Sequence, residues 1–244
     1  MPSRPPAATT GVIGPAVDVL EALGRAPLFA TLDRHHLGLV LRRASQRSYA
    51  TGHVLMTQGE PGDSMEVLLS GEVQVTMTSP QGRDLVLALL GPGEPIGELA
   101  LLDGGARSAT VTATEPTEAL VIYQEEFHDI LRQSPDIALA LLKVMTERVR
   151  ATDHLVADSR FLDVPARVAK KLLELANTRG VEAGRGIEID LQLTQTTLAA
   201  LIGASRESVS KALTTLRRAG VVTAERHRIT ILDRDTLSAS VQPR

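Results

Sequence analysis

The chain reads as an α+β protein: an N-terminal antiparallel β-roll (a double-stranded jelly roll), a long helix, and a C-terminal winged helix-turn-helix. Three patterns lead there. Between about residues 47 and 123, short apolar segments alternate with Gly- and Pro-rich turns. From Pro135, apolar residues recur for about 25 residues with the 3.5-residue period of a coiled-coil seam. Beyond Thr194, two short amphipathic stretches flank Gly203-Ala204-Ser205 and precede a hairpin pattern.

Taken in order, residues 1–15 are rich in Pro, Ala, Thr and Gly and read as a flexible tail. Helical spacing from Val17 to Leu23, and from an Asp33 cap through Leu37, Val40, Leu41 and Ala44, leads into a roll domain spanning 16–134 with flanking helices. Its strands include Val67-Leu68-Leu69, Val73–Met77, Leu85–Leu89 and Ala109–Ala113, separated by turns such as Gly59-Glu60-Pro61-Gly62-Asp63 and Gly91-Pro92-Gly93. Residues 135–160 form the long helix, with Ser134 before Pro135 as its start signal. Leu142, Met145, Val149, Thr152, Val156 and Ser159 make a seam along it, so a dimerisation helix is expected; one helix packed within a monomer is the other reading. Pro165 disfavours helical geometry at Val164 and marks 161–165 as a hinge before a winged helix-turn-helix domain over 166–244.

Composition narrows the function. With no Cys there is no disulfide, Cys-ligated cluster or thiol switch, and the six His residues show no metal or haem spacing. Only 2% of residues are aromatic, which leaves little for stacking single-stranded bases. No apolar run is long enough to span a membrane, and a cytoplasmic location is expected. No nucleophile motif, Walker loop or metal cluster suggests an enzyme. Residues 1–160 carry 13 Lys and Arg against 20 Asp and Glu, while 161–244 carry 13 against 9. That basic bias nominates the C-terminal part for nucleic acid.

Within it, Thr194 can cap a helix carrying Leu198, Leu201 and Ile202. Ser205 can cap a second, buried through Val209, Leu213 and Leu216. Arg206, Glu207, Ser210 and Lys211 are left outward. A fork donor for guanine, an acceptor for cytosine N4 and a second cation are the groups that read base edges in a major groove. Val221–Thr223 and Ile229–Ile231 flank Arg226-His227-Arg228, and Arg228 is a candidate phosphate contact on the wing. A helical hairpin with a solvated charged face, Glu207 pairing Lys211, is the plainer alternative.

The succession of roll, long helix, hinge and winged helix-turn-helix resembles the cAMP receptor protein (CRP/FNR) superfamily of bacterial transcription regulators. Its most specific stretches are Gly97-Glu98-Leu99-Ala100-Leu101-Leu102, Arg107-Ser108-Ala109-Thr110, Phe161-Leu162-Asp163-Val164 and Gly203-Ala204-Ser205-Arg206-Glu207-Ser208-Val209. The resemblance implies that Gly97, Glu98, Arg107 and Ser108 cradle the ribose phosphate of a cyclic nucleotide, cAMP first and cGMP second. Physically, Gly97 permits close backbone approach, Glu98 can accept from a ribose hydroxyl, and Arg107 with Ser108 can hold a phosphate. The alternative is a Glu98–Arg107 pair across a tight turn. Thr152 and Asp153 align with the family's base-contacting positions, one acting from a second subunit. Asp153 departs from the small neutral residue of cAMP responders. Arg148, one turn earlier, is read as an exposed helical residue, with a phosphate or inter-subunit contact as the other reading. The resemblance further implies a homodimer on an inverted repeat with half-sites like TGTGA, and contact with RNA polymerase in an activator. A relative with no nucleotide ligand, and a cyclic-nucleotide-binding regulatory subunit acting on a protein partner, remain alternatives.

Overall fold

Polar and apolar residues sort themselves along one strand, Ser64–Ser70, in a way that organises the whole N-terminal part. Met65, Val67 and Leu69 point to one apolar cluster with Leu23, Phe29, Val40, Phe127, Ile137 and Leu141; Leu68 points to another with Tyr49, Val73, Ile96 and Val111. A strand buried on both faces reads as a nearly continuous apolar run. The structure is a computed structural model describing residues 34–189, 194–225 and 228–241, with Val19, Leu23, Gly24, Ala26 and Phe29. The predicted tail, most of the lead-in helix from Val17, the Asp33 cap and the Arg226-His227 wing tip lie outside the described residues.

Helix α1 (Arg34–Arg43) precedes strands β1 (Ser45–Tyr49), β2 (Val54–Met56), β3 (Ser64–Ser70), β4 (Val73–Thr78), β5 (Asp84–Leu90) and β6 (Pro95–Ile96). A short helix α2 (Glu98–Asp103), β7 (Thr110–Ala113), β8 (Thr117–Tyr123) and α3 (Gln124–Gln133) follow. The strands form two four-stranded sheets, β1-β8-β3-β6 and β2-β7-β4-β5. Neighbours distant in sequence, such as β1 with β8 in register Ser45↔Val121, give the jelly-roll crossing. Phe127 and Ile130 of α3 fill the first cluster, and an Arg43–Asp129 ion pair ties α3 to α1.

Helix α4 (Pro135–Phe161) starts where the Ser134-Pro135 signal put it. Ile137 and Leu141 are buried against the roll, while Leu139, Leu142, Val149 and Val156 are each 60–65% exposed. Met145, a member of the predicted seam, is half-buried and packs on the roll's core within the single chain. At about 100° per residue it lies about 60° from Leu142, toward the face of Ile137 and Leu141. Apart from Asp84–Val86, the described residues up to Val149 make one compact unit and those from Arg150 onward another.

In the second unit, α4 ends at Phe161 and α5 (Val164–Arg179) begins after Leu162 and Asp163. The break thus falls inside the expected 161–165 stretch, at Leu162 and Asp163, and only the expectation of non-helical geometry at Val164 is corrected. Asp163, extended at ψ 168, caps Ala166 N–H, and Pro165 sits inside the first turn, where its missing N–H costs nothing. Lys170 bonds both Asp158 carboxylate oxygens at 2.7 and 2.5 Å across the bend. Then come β9 (Gly180–Ala183), β10 (Gly186–Ile189), α6 (Gln195–Ile202), α7 (Arg206–Arg218), β11 (Val222–Glu225), β12 (Arg228–Ile231) and α8 (Arg234–Ala239). Their strands form one sheet, β11-β12-β10-β9, packed with α5 through Val168, Ala169 and Leu172 in the interior.

Candidate functional site

Two places carry chemistry. The first surrounds Gly97, whose φ of 77° puts it in the left-handed region as the residue before α2. A Cβ there would stand 2.5 Å from Arg107 Nη1 and 2.7 Å from the Met56 side chain, so a larger residue would be strained at this φ and would displace the ends of both side chains. Glu98 opens α2 and is 2% exposed. Its Oε1 accepts from Arg148 Nη1 at 2.6 Å, and the same guanidinium donates to the Pro95 carbonyl. Glu98 Oε2 is buried and has no hydrogen-bond partner. Such an acceptor costs desolvation energy until a donor reaches it.

Arg107 is also buried. Nη1 donates to the carbonyls of Ser64 at 2.7 Å and Gly97 at 2.8 Å, and Nη2 to Ser64 Oγ at 3.2 Å. Its backbone is anchored as well, N–H to Glu60 carbonyl at 2.8 Å and carbonyl to Gly59 N–H at 2.9 Å. Burial pulls the guanidinium below its usual range, opposed by the charges of Asp63, Glu66 and Glu98. Gly97, Glu98 and Arg107 thus come together, Ser108 follows as an exposed residue, and Thr152 and Asp153 are exposed on α4 after Arg148.

One alternative and one expectation are corrected here. Glu98 pairs with Arg148 and not with Arg107, and Arg148 is no exposed helical residue. It continues the face of Ile137 and Leu141, which α4 turns to the roll, so a spacing of seven from Leu141 was the available signal. Ser64 was missed too. A polar residue on an otherwise buried strand marks it.

So does Glu66, two residues on and 2% exposed. Tyr49 Oη donates to its two oxygens at 2.8 and 2.9 Å. Burial raises the Glu66 carboxyl above its ordinary value, against the Tyr49 hydrogen bond and the charges of Arg47 and Arg107. The folded-state value exceeds the unfolded one, so this stabilising contribution is complete below the unfolded value and is lost as pH rises through the folded value. In urea titrations, Glu66→Gln should therefore gain stability relative to the wild type on going from pH 5 to pH 8. A difference independent of pH would show that Glu66 does not titrate in this way.

The second place is the α6-α7 pair. Thr194 Oγ1 accepts from Thr197 N–H at 2.9 Å, and Gly203, at φ 62°, closes α6. Ser205 Oγ accepts from Ser208 N–H at 3.2 Å to open α7. Val209, Ala212 and Leu213 are buried, Ser210 is half-buried, and Arg206, Glu207 and Lys211 are exposed. The Glu207 carboxyl is held below its ordinary value by its own backbone N–H, then by the Ser205 hydroxyl, with Arg206 and Lys211 adding to it. It is an ionised acceptor at neutral pH. Beyond the turn, β11 and β12 pair in register Val222↔Ile231 to Glu225↔Arg228, and Arg228 is exposed, 3.2 Å from Glu188. The β9-β10 hairpin supplying Glu188 was not anticipated, although Gly184-Arg185-Gly186 followed by alternating Ile187 and Ile189 is a hairpin signal.

The cyclic nucleotide-binding domain family matches residues 46–134 and the Crp-like helix-turn-helix domain family residues 166–240. A CRP-like cAMP-activated global transcriptional regulator of Mycobacterium tuberculosis is 33% identical over 218 residues, 89% of this chain and 97% of that protein. The chain belongs to the CRP/FNR superfamily of transcription regulators. A cyclic AMP receptor protein of Thermus thermophilus is 36% identical over 81% of this chain and 88% of its own length. The crystal structure of a Thermus thermophilus catabolite activator protein is 33% identical, covers 88% of this chain and 98% of that one, and superposes with a TM-score of 0.52. The c-di-GMP responsive regulator CLP of Xanthomonas campestris, 24% identical over 82% of this chain and 99% of its own, shares the fold with a TM-score of 0.75.

As a CRP/FNR member the chain is a DNA-binding transcription regulator with a cyclic nucleotide-binding domain, from a family of regulators and not of enzymes. No helix among the described residues is long and apolar enough to cross a membrane. The residues present fit a nucleotide: an unpartnered buried acceptor at Glu98 stands beside a left-handed Gly97 and the Arg107 cation.

Proposed function

We propose that this regulator acts as a homodimer on an inverted-repeat DNA site and is switched by a cyclic nucleotide, cAMP before cGMP, held by Gly97, Glu98, Arg107 and Ser108. The observation that supports this most is Glu98 Oε2, a buried acceptor awaiting a donor such as a ribose hydroxyl. Arg107 supplies positive charge for the phosphate without a conformational search, because Ser64 and Gly97 already hold its fork. Ser108 offers an exposed hydroxyl beside it. Thr152 and Asp153 take the base-facing roles, the Asp153 carboxylate accepting from an adenine amino group.

On the output side, Arg206 reads guanine O6 and N7, Glu207 accepts from cytosine N4, and Lys211 adds a looser contact because an ammonium lacks the planar fork. Ser210 faces the same groove, and Thr194, Ser205 and Arg228 contact phosphates. Calorimetric titration of the protein with cAMP and cGMP, followed by DNA binding with and without each, tests the assignment. Heat with one nucleotide and a tighter complex on an inverted repeat are expected. No heat and an unchanged DNA affinity would make this a CRP/FNR member without a nucleotide ligand. Arg206→Ala is expected to cost about 1–3 kcal/mol on the preferred site and little on scrambled DNA. Equal losses on both would remove Arg206 from base reading.

A further inference from the structure

Helix α7 carries positive charge beyond its base-facing turn. Arg217 follows Arg206 by eleven residues and Arg218 follows Glu207 by eleven. Eleven residues are about three helical turns, so each arginine lies on the same line of the helix surface as its counterpart, about 16 Å farther along. The B-DNA major groove is only about 12 Å wide. With the first turn of α7 at the base edges, side chains at this distance on this face meet the sugar–phosphate wall and its flank, not bases.

The surroundings fit an anionic backbone. Arg217 and Arg218 line a cleft of about 430 Å³ with Thr214, Val222, Thr223 and Ala224, between the end of α7 and the wing strand β11. Among the described side chains that line it, none is acidic. Both arginines are exposed, and among the described residues neither takes part in an ion pair, whereas Arg228 on the next strand faces Glu188. β11 is the outer strand of its sheet, so its outward backbone N–H groups have no strand beyond them and can donate to phosphate oxygens.

We propose that this cleft is a phosphodiester-binding flank, in which Arg217 and Arg218 grip duplex DNA outside the bases read by Arg206 and Glu207. The proposal rests on α7 being the reading helix. It extends the contact surface past the half-site and adds affinity that does not depend on sequence. Each cation that neutralises a phosphate steepens the dependence of log affinity on log salt by about 0.9.

The test uses the full chain, a duplex bearing its preferred inverted repeat, and fluorescence anisotropy between 50 and 200 mM salt. The double variant Arg217→Ala/Arg218→Ala should flatten the salt slope by about 1.8 per subunit. It should weaken preferred and scrambled duplexes by the same factor, and Arg217→Lys/Arg218→Lys should restore the slope. Trimming the duplex to the outer edge of the half-sites should abolish the difference between wild type and the alanine variant. An unchanged slope, a loss confined to the preferred sequence, or a difference surviving on the trimmed duplex would each overturn the proposal. Unchanged DNA binding with a lost response to RNA polymerase would assign the cleft to a protein surface instead. A wild-type chain that bound duplexes without any sequence preference, yet lost salt slope in the alanine variant, would refute the base-reading role while supporting the flank.

Discussion

Leu142→Glu/Val149→Glu is expected to yield a folded monomer that no longer holds an inverted-repeat site. Leu142, Val149 and Val156 recur at intervals of seven on α4, and each is at least 60% exposed in the single chain. Apolar side chains at that period are the seam of a two-stranded coiled coil. Burying one such side chain stabilises by roughly 1.5–3 kcal/mol, so two per chain account for several kcal/mol of association. Glutamate at both positions removes that gain and places like charges opposite one another. Both side chains are largely exposed in the single chain, so the fold should survive. Sedimentation at micromolar concentration should show a monomer, and affinity for the inverted repeat should fall by about 10²–10⁴, the advantage of linking two half-site contacts. A variant that still sedimented as a dimer would place the interface elsewhere.

Glu98→Ala should be nearly as damaging, at the other end of the protein's response. It removes the carboxylate that pairs with the half-buried Arg148 at Oε1 and deletes the acceptor at Oε2. A hydrogen bond to a charged group is worth about 1.5–3 kcal/mol, so cAMP affinity should drop by roughly 10- to 150-fold in calorimetry. Glu98→Gln, which keeps one acceptor, should lose less. DNA binding without nucleotide should persist in both. If cAMP bound Glu98→Ala as tightly as wild type, the nucleotide would have to sit elsewhere.

What the residue pattern made legible was whatever depends on near neighbours. Thr194, Gly203 and Ser205 punctuate α6 and α7 as expected, because caps and left-handed turns are set within three or four residues. Gly97, Glu98 and Arg107 were nominated together, and they do converge. Their partners were not legible. Arg148 lies fifty residues from Glu98, and Ser64 forty-three from Arg107, distances over which spacing says nothing about approach. Met145 shows the same limit on a smaller scale: period alone cannot say which edge of an apolar stripe turns to the chain's own core. The short helices α2 and α3 and the β9-β10 hairpin went unread because each is six to ten residues and gains its stability from packing, not from local preference. At the bend, the Asp163 cap outweighed the proline rule, since a proline is welcome in a first turn.

Glu98 has two terminals, and they are wired to different things. One oxygen is joined to Arg148 and through it to α4; the other is buried with no hydrogen-bond partner. Because the two oxygens share one delocalised charge, a donor arriving at Oε2 draws electron density from Oε1 and slackens the grip on the helix. With the proposed nucleotide donating to Oε2, the first event in transmission would be a polarisation within a three-atom group, and input and output would meet in a single side chain.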